Sequence, residues 1–320
     1  MPDLYGASKQ FACLTPDIAA FYANHSSFST PGTFAMLYAD LPPEPARLAR
    51  ITRDLMIHRW EGGNYHYGIL PERLHNDAET RYIDNILAII VERNDAPLPQ
   101  GRGLDDRFVG TCRDFALLFC SFLRHQGIPA RVRSGFADYF GRDGFHHDHM
   151  ISEYWDEQRG WCLADPQVTD PVIASPLDLG FDPVDIPRDR FLDAGTAWRM
   201  IRKGDADPKT FGLKLPDRIM SGENFVAGNL LLDIAALNKA EPLVWDIWGA
   251  IADIDSGITD ADRELYDQIA EVTAGTGDFE QAREMYLQDA RLRMPQTVLS
   301  LAPYNGPRHV TLRDSGSVNM

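Results

Sequence analysis

The chain has 320 residues, 44% of them hydrophobic and 24% charged, with a formal net charge of −16. That length suits one large domain or a core domain with a smaller partner, and the composition is that of a folded globular protein. The acidic balance argues against nucleic-acid or anionic-membrane partners, because a phosphate surface would be repelled.

No stretch approaches membrane-spanning length, and Met1-Pro2-Asp3-Leu4 begins no basic segment with an apolar run behind it. The four cysteines, Cys13, Cys112, Cys120 and Cys162, form neither CxxC pairs nor a disulfide framework. A reducing cytoplasm is the expected setting.

In chain order, a helix is predicted after Thr15-Pro16-Asp17, with Ile18, Phe21 and Tyr22 on one face, and a loop follows around Pro31 and Pro42-Pro43-Pro45. A second helix, from about Ala46 to Trp60, buries Leu48, Ile51 and Leu55 and ends at the Gly62-Gly63-Asn64 break. A third, from about Asp77 to Glu92, presents Tyr82, Ile86, Ile89 and Ile90, and Asp95-Ala96-Pro97 stops it. The loop through Gly101-Arg102-Gly103 and Asp105-Asp106-Arg107 then leads to Gly110-Thr111-Cys112-Arg113-Asp114-Phe115-Ala116.

That heptapeptide sets a cysteine on the first turn of a helix. Thr111 is the N-cap and Asp114 completes a capping box. Phe115 to Cys120 is apolar all round, so the helix belongs inside the protein; Gly127 supplies a left-handed cap and Pro129 prevents continuation. A thiol on that first turn feels unpaired N–H groups, which favour thiolate, and Cys112 is therefore the candidate nucleophile. Its plainer reading is a packed structural cysteine. That is the reading for Cys120, two turns further on, and for Cys162, which alternates to the face opposite Asp165.

Three strands are predicted next, over 130–136, 149–155 and 161–165, the last two joined by a turn at Asp156 to Gly160. A hairpin centred on Glu157 would set His149 opposite Asp165, at about 4.5–5.5 Å between Cβ atoms. A slip of one residue would turn them apart. His149 is then a general base and Asp165 the carboxylate that orients it. Competing readings are a solvated polar run with His146, His147 and Asp148, a metal site in that cluster, and a turn role for Asp165 before Pro166. Neighbours on a strand point to opposite faces, and no matching pair stands at zinc spacing, so the base is preferred.

Gly-x-Cys-x-Asp-Phe-Ala, Leu-Arg-x-x-Gly-Ile-Pro-Ala-Arg (Leu123 to Arg131), His149 followed by Glu153, Gly160-Trp161 and Asp165-Pro166 together resemble the transglutaminase-like cysteine superfamily in order and spacing. The resemblance covers roughly residues 108 to 167. It implies a papain-like core in which a helix bearing the nucleophile, Cys112, packs on an antiparallel sheet bearing the base, His149, and the orienting acid, Asp165. One position departs. The family usually has an aromatic residue two after the histidine, where Ile151 stands here, so a different wall beside the imidazole is expected. Gly228-Asn229 through Trp248-Gly249 resembles a C-terminal extension of bacterial transglutaminase-like proteins, with no role attached.

Beyond Asp165-Pro166 the prolines at 171, 176, 183 and 187 suggest a long surface connection. Helices are expected over Phe225 to Leu237, Leu243 to Ile254, Thr259 to Val272 and Phe279 to Arg293. Asp253-x-Asp255 with Glu264 resembles a calcium loop, but Gly257 and Ile258 fall where a ligand and the invariant glycine belong, so Thr259 is read as a cap.

The expected fold is α+β: a papain/transglutaminase-like core over 1–185 and a mainly helical C-terminal region over 186–320. The expected chemistry is acyl transfer from an amide or ester through a thioester on Cys112, to water or an amine, with no cofactor and no metal. Substrates would be peptides, amides or small acyl compounds, and the resemblance leans toward hydrolysis or small-molecule transfer over cross-linking. An oxyanion hole needs the Cys112 N–H and an upstream side chain, for which Trp60, Tyr65, His66 and Tyr67 are candidates. The rivals are a non-catalytic binding module and a metal-dependent hydrolase built on His146 to His149.

Overall fold

The structure is a computed structural model that describes residues 14–61, 68–77, 79–215, 217–251 and 257–313. Helices α1 (Pro16–Ala23) and α2 (Pro45–Leu55) lead into strand β1 (Met56–His58); α3 (Pro71–Asp77) and α4 (Ile83–Arg93) lead into β2 (Phe108–Gly110) and α5 (Cys112–His125). Strands β3 (Ala130–Ala137), β4 (His146–Asp156) and β5 (Gly160–Ala164) follow, then α6 (Pro171–Leu177), β6 (Phe191–Asp193) and α7 (Ala194–Lys203). Next come β7 (Phe211–Lys214), β8 (Ile219–Ser221), α8 (Glu223–Leu237), β9 (Asp246–Ile247), α9 (Asp260–Thr273), α10 (Phe279–Gln288), β10 (Thr297–Ser300) and β11 (Arg308–Thr311). The architecture is mixed α+β, as expected.

The main sheet runs β6-β3-β4-β7-β8, with β5 also paired to β4. All eight residues of β3 are buried, because α5 and α8 both pack on the β3–β4 pair. The Ser152 hydroxyl donates to the Ala116 carbonyl at 2.9 Å, which fixes how far α5 can slide along β4. Helix α5 ends in a Schellman pair: Gly127 (φ +75°) donates to Arg124 O at 3.0 Å and Ile128 to Leu123 O at 2.9 Å.

Several elements differ from expectation. Residues 56–58 leave the second predicted helix and pair in parallel with 108–110, since burial against α5 and a second strand outweighs local helix propensity. The third predicted helix starts later than expected, at Ile83, and α3, which ends at Asp77, was not predicted. The connection after Asp165 holds helix α6, with Pro171 at its first turn, and a bridge from Leu163 to Ile186. Residues 191–221, beyond the expected boundary at 185, add β6, β7 and β8 to the main sheet. In place of a helix over 243–254 the described residues give strand β9, which joins β10 and β11 in a second sheet; Asp253 and Asp255 lie outside the described residues. Helices α8, α9 and α10 stand close to their predicted spans, α9 with the Thr259–Asp262 capping box.

The interior is unusually charged. Arg113, Arg124 and Arg133 are buried with their carboxylate or carbonyl partners. Arg133 reaches Asp233 at 2.9 and 3.0 Å, Glu153 at 3.1 Å and the Thr273 and Gly275 carbonyls. Arg124 reaches Glu241 and Ser29, each at 2.8 Å. Such groups are tolerated inside only when every donor finds a partner.

Candidate active site

Cys112 is the first residue of α5 and is 9% exposed. The turn before it is fixed by Asp114, whose Oδ2 accepts the Thr111 N–H at 2.8 Å and the Thr111 hydroxyl at 3.1 Å. Arg113 holds the other carboxylate oxygen at 2.9 Å and extends to the carbonyls of Arg81 and Glu241. Gly110 leaves room for this cap: a Cβ there would stand 2.8 Å from Met56 Cε and 3.0 Å from the Asp114 carboxylate, so a larger residue would have to displace one or the other. The motif therefore does one mechanical task, presenting Cys112 at a rigid helix start.

His149 on β4 meets Asp165, which follows β5, with Nε2 to Oδ2 at 2.7 Å. The hairpin pairs Asp156 with Gly160 and Ser152 with Ala164, so it is centred one residue later than expected and Asp165 is not directly opposite His149. The offset is two residues in register. Because side-chain direction repeats every two residues, the pair keeps its common face and meets on the diagonal. Asp165 is further held by the Tyr139 hydroxyl at 2.8 Å and the Gln167 N–H at 2.9 Å.

With Nε2 committed to Asp165, Nδ1 is the ring nitrogen left for the sulfur, and Cys112 is near enough to be one of the groups that raise the His149 pKa. Burial alone would push the His149 pKa down, but the Asp165 carboxylate and its hydrogen bond, aided by Cys112, raise it to about 10. At neutral pH the ring is an imidazolium. The wall beside it, missing an aromatic at Ile151, comes from the loop after β3: Phe140 stands 4.8 Å and Tyr139 6.1 Å away between ring centres, both edge-on.

Other candidates disperse. His146 stacks on Phe211 at 4.6 Å, and His147 lies edge-on to Phe145 and Phe140, so the run does not converge. Among the described residues no group of three or more His, Cys, Asp or Glu side chains could hold a metal ion. Cys120 is fully buried and burial pushes its thiol up to about 12; Cys162 is buried and pushed up to about 11 for the same first reason. Tyr65, His66, Tyr67 and Cys13 lie outside the described residues.

Sequence reasoning missed His58. The parallel ladder sets it beside Gly110, two residues before Cys112. Its ring lies 6.4 Å from that of Phe115, one turn along α5 from Cys112, and its Nδ1 accepts the Trp60 N–H at 3.4 Å. Burial first, then the charges of His149, Arg59 and Arg53, lower its pKa well below the usual value. Nothing local flags it, since the pairing spans more than fifty residues of chain.

Residues 95–166 match the model of the transglutaminase-like superfamily. The matched span is less than a quarter of the chain. Cys112, His149 and Asp165 all fall within the matched span. Among solved structures, the chain is similar to a candidate cysteine protease from Cytophaga hutchinsonii, at 20% identity and a TM-score of 0.28 over 50% of this chain and 45% of that one. It is also similar to red sea bream transglutaminase, at 15% identity and a TM-score of 0.29 over 89% of this chain and 42% of that one. The chain thus spans less than half the length of each of these proteins. No curated protein matches it. Among the described residues, no helix is long and apolar enough to cross a membrane.

Proposed function

We propose that this transglutaminase-like domain catalyses acyl transfer with Cys112 as nucleophile, His149 as base and acid, and Asp165 as the group that orients His149. The observation that carries the reading is the buried His149–Asp165 pair at 2.7 Å, with Cys112 among the groups that raise the His149 pKa. With the proton on His149, the sulfur attacks an amide or ester carbonyl, and the imidazolium protonates the departing amine or alcohol as the thioester forms. His149, now neutral, removes a proton from the acceptor, whose attack releases the acyl group and restores the thiolate beside the imidazolium. We assign the acceptor as water or a small amine, in keeping with the family resemblance, and the substrate as a peptide, amide or small acyl compound. The three described cysteines are free, consistent with a protein working in a reducing compartment.

Thiol alkylation tests this. Iodoacetamide near neutral pH should modify Cys112 in the folded protein and abolish turnover of an activated ester such as 4-nitrophenyl acetate, with chelators having no effect. Cys112→Ala should lose both reactions, and Cys120→Ala should keep both. Alkylation of folded Cys112 no faster than that of a cysteine in the unfolded chain would sink the proposal.

A further inference from the structure

The reading of Cys112 as nucleophile leaves one requirement open: the negative oxygen created when sulfur adds to a carbonyl needs two donors aimed at it. The Cys112 backbone N–H is one of the leading amides that a helix leaves without an internal partner. We propose that His58 is the second donor, its Nε2–H working with the Cys112 N–H on the oxygen of the attacked carbonyl.

Three features of the fold carry this. The first is position. Paired strands lie about 4.8 Å apart, so the β1–β2 register brings His58 beside Gly110, and the chain from Gly110 enters α5 two residues later. The Phe115 ring near His58 belongs to the face of α5 that also carries Cys112, three residues earlier.

The second is the tautomer. A neutral imidazole has one donor and one acceptor nitrogen, and Nδ1 is the acceptor, taking the Trp60 N–H; the proton is therefore on Nε2. The backbone is anchored as well, because His58 N–H reaches Glu61 at 3.3 Å and Glu61 is paired with buried Arg53 at 2.8 Å. A ring held at both its backbone and its Nδ1 has little freedom to turn away, which is what a preorganised donor requires.

The third is the division of charge between two histidines. Burial and the neighbouring cations His149, Arg59 and Arg53 keep His58 neutral, while Asp165 keeps His149 protonated. Two environments that drive like groups apart in this way separate their tasks. His149 moves a proton, and His58 donates a hydrogen bond without giving its proton up. As the sulfur–carbon bond forms, the carbonyl π pair moves onto oxygen between the two N–H groups. When the intermediate collapses, that pair reforms the carbonyl and the bond to the leaving group breaks.

Two reagents separate this role from a structural one. Acylation by 4-nitrophenyl acetate passes through an oxyanion and releases 4-nitrophenolate, whereas iodoacetamide alkylates sulfur by displacement at a saturated carbon and forms no oxyanion. His58→Ala should slow the acylation burst by about 10²–10³-fold while leaving the alkylation rate of Cys112 within about twofold. His58→Gln, which keeps a side-chain N–H donor, should recover most of the loss. Equal slowing of both reactions in either folded variant, or an unchanged acylation rate in His58→Ala, overturns the assignment. Wild-type protein that alkylates at Cys112 but never acylates overturns the nucleophile reading, and this one with it.

Discussion

His149 Nε2 lies 2.7 Å from Asp165 Oδ2, and the same oxygen accepts the Tyr139 hydroxyl at 2.8 Å. One carboxylate oxygen thus receives two buried donors, and the position of the imidazole is set by both. Its pKa of about 10 predicts a broad plateau in activity toward an anilide, whose leaving amine must take a proton from His149, with loss as pH rises through about 10. Asp165→Asn should bring that alkaline limb down toward the ordinary value near 6.5 and lower kcat by about 10³–10⁴-fold. A kcat/KM profile against pH for a 4-nitroanilide checks it; an alkaline limb unmoved by the substitution argues against this origin for the raised pKa.

Tyr139→Phe isolates the hydroxyl, since the phenyl ring keeps its contacts with Phe140 and His149. Burial, with the Asp165 carboxylate adding to it, raises the Tyr139 pKa well above 10, so the hydroxyl stays protonated and remains a donor. Losing a hydrogen bond to a charged acceptor is worth about 1.5 kcal/mol, or about tenfold in rate. The expected result is a fall of that size in kcat with KM little changed and the melting temperature lowered slightly. If kcat is unaffected, Gln167 alone suffices to hold Asp165.

Glu153 is fully buried and accepts from Arg131 at 2.7 Å and Arg133 at 3.1 Å, with Arg188 on its other oxygen. Burial would raise its pKa; the three arginines win and hold it at about 2. A carboxylate depressed in the folded state stabilises above its unfolded value, near 4.5, and that contribution fades as pH drops from there through about 2. Glu153→Gln should cost about 3–5 kcal/mol at pH 7, because it strands buried guanidinium charge. Urea unfolding at pH 7 and at successively lower pH should show the gap between variant and wild type closing below about 4.5. A gap under about 1 kcal/mol at pH 7 would mean that solvent reaches these arginines.

What could be read from the sequence was local. The helix of Cys112 is fixed by residues within one or two turns of it, Thr111 with Asp114 at one end and Gly127 at the other, and its limits were legible from them. The His149–Asp165 contact was legible for a subtler reason: an error of two in hairpin register leaves side-chain parity intact, where an error of one would have separated the pair. Tyr139 and Phe140 were not legible, because they sit in a loop with no period to place them. Nor was His58, whose partner strand is remote, nor the two- to four-residue strands β6 to β11, too short to show alternation. Nor were the ion pairs of Arg124 and Arg133, whose acids, Glu241 and Asp233, come from about a hundred residues further along the chain.

Arg113, the residue between Cys112 and Asp114, spends its buried guanidinium on the Glu241 and Arg81 carbonyls and on Asp114. Arg124 at the other end of α5 takes the Glu241 carboxylate, and Arg133 on β3 takes Asp233. The segment that closes α8 thus acts as counter-ion and lid for the same helix that presents the thiol. A fragment ending at residue 185 would strip the partners beyond that point from all three arginines at once, so trimming there should destabilise the core that remains.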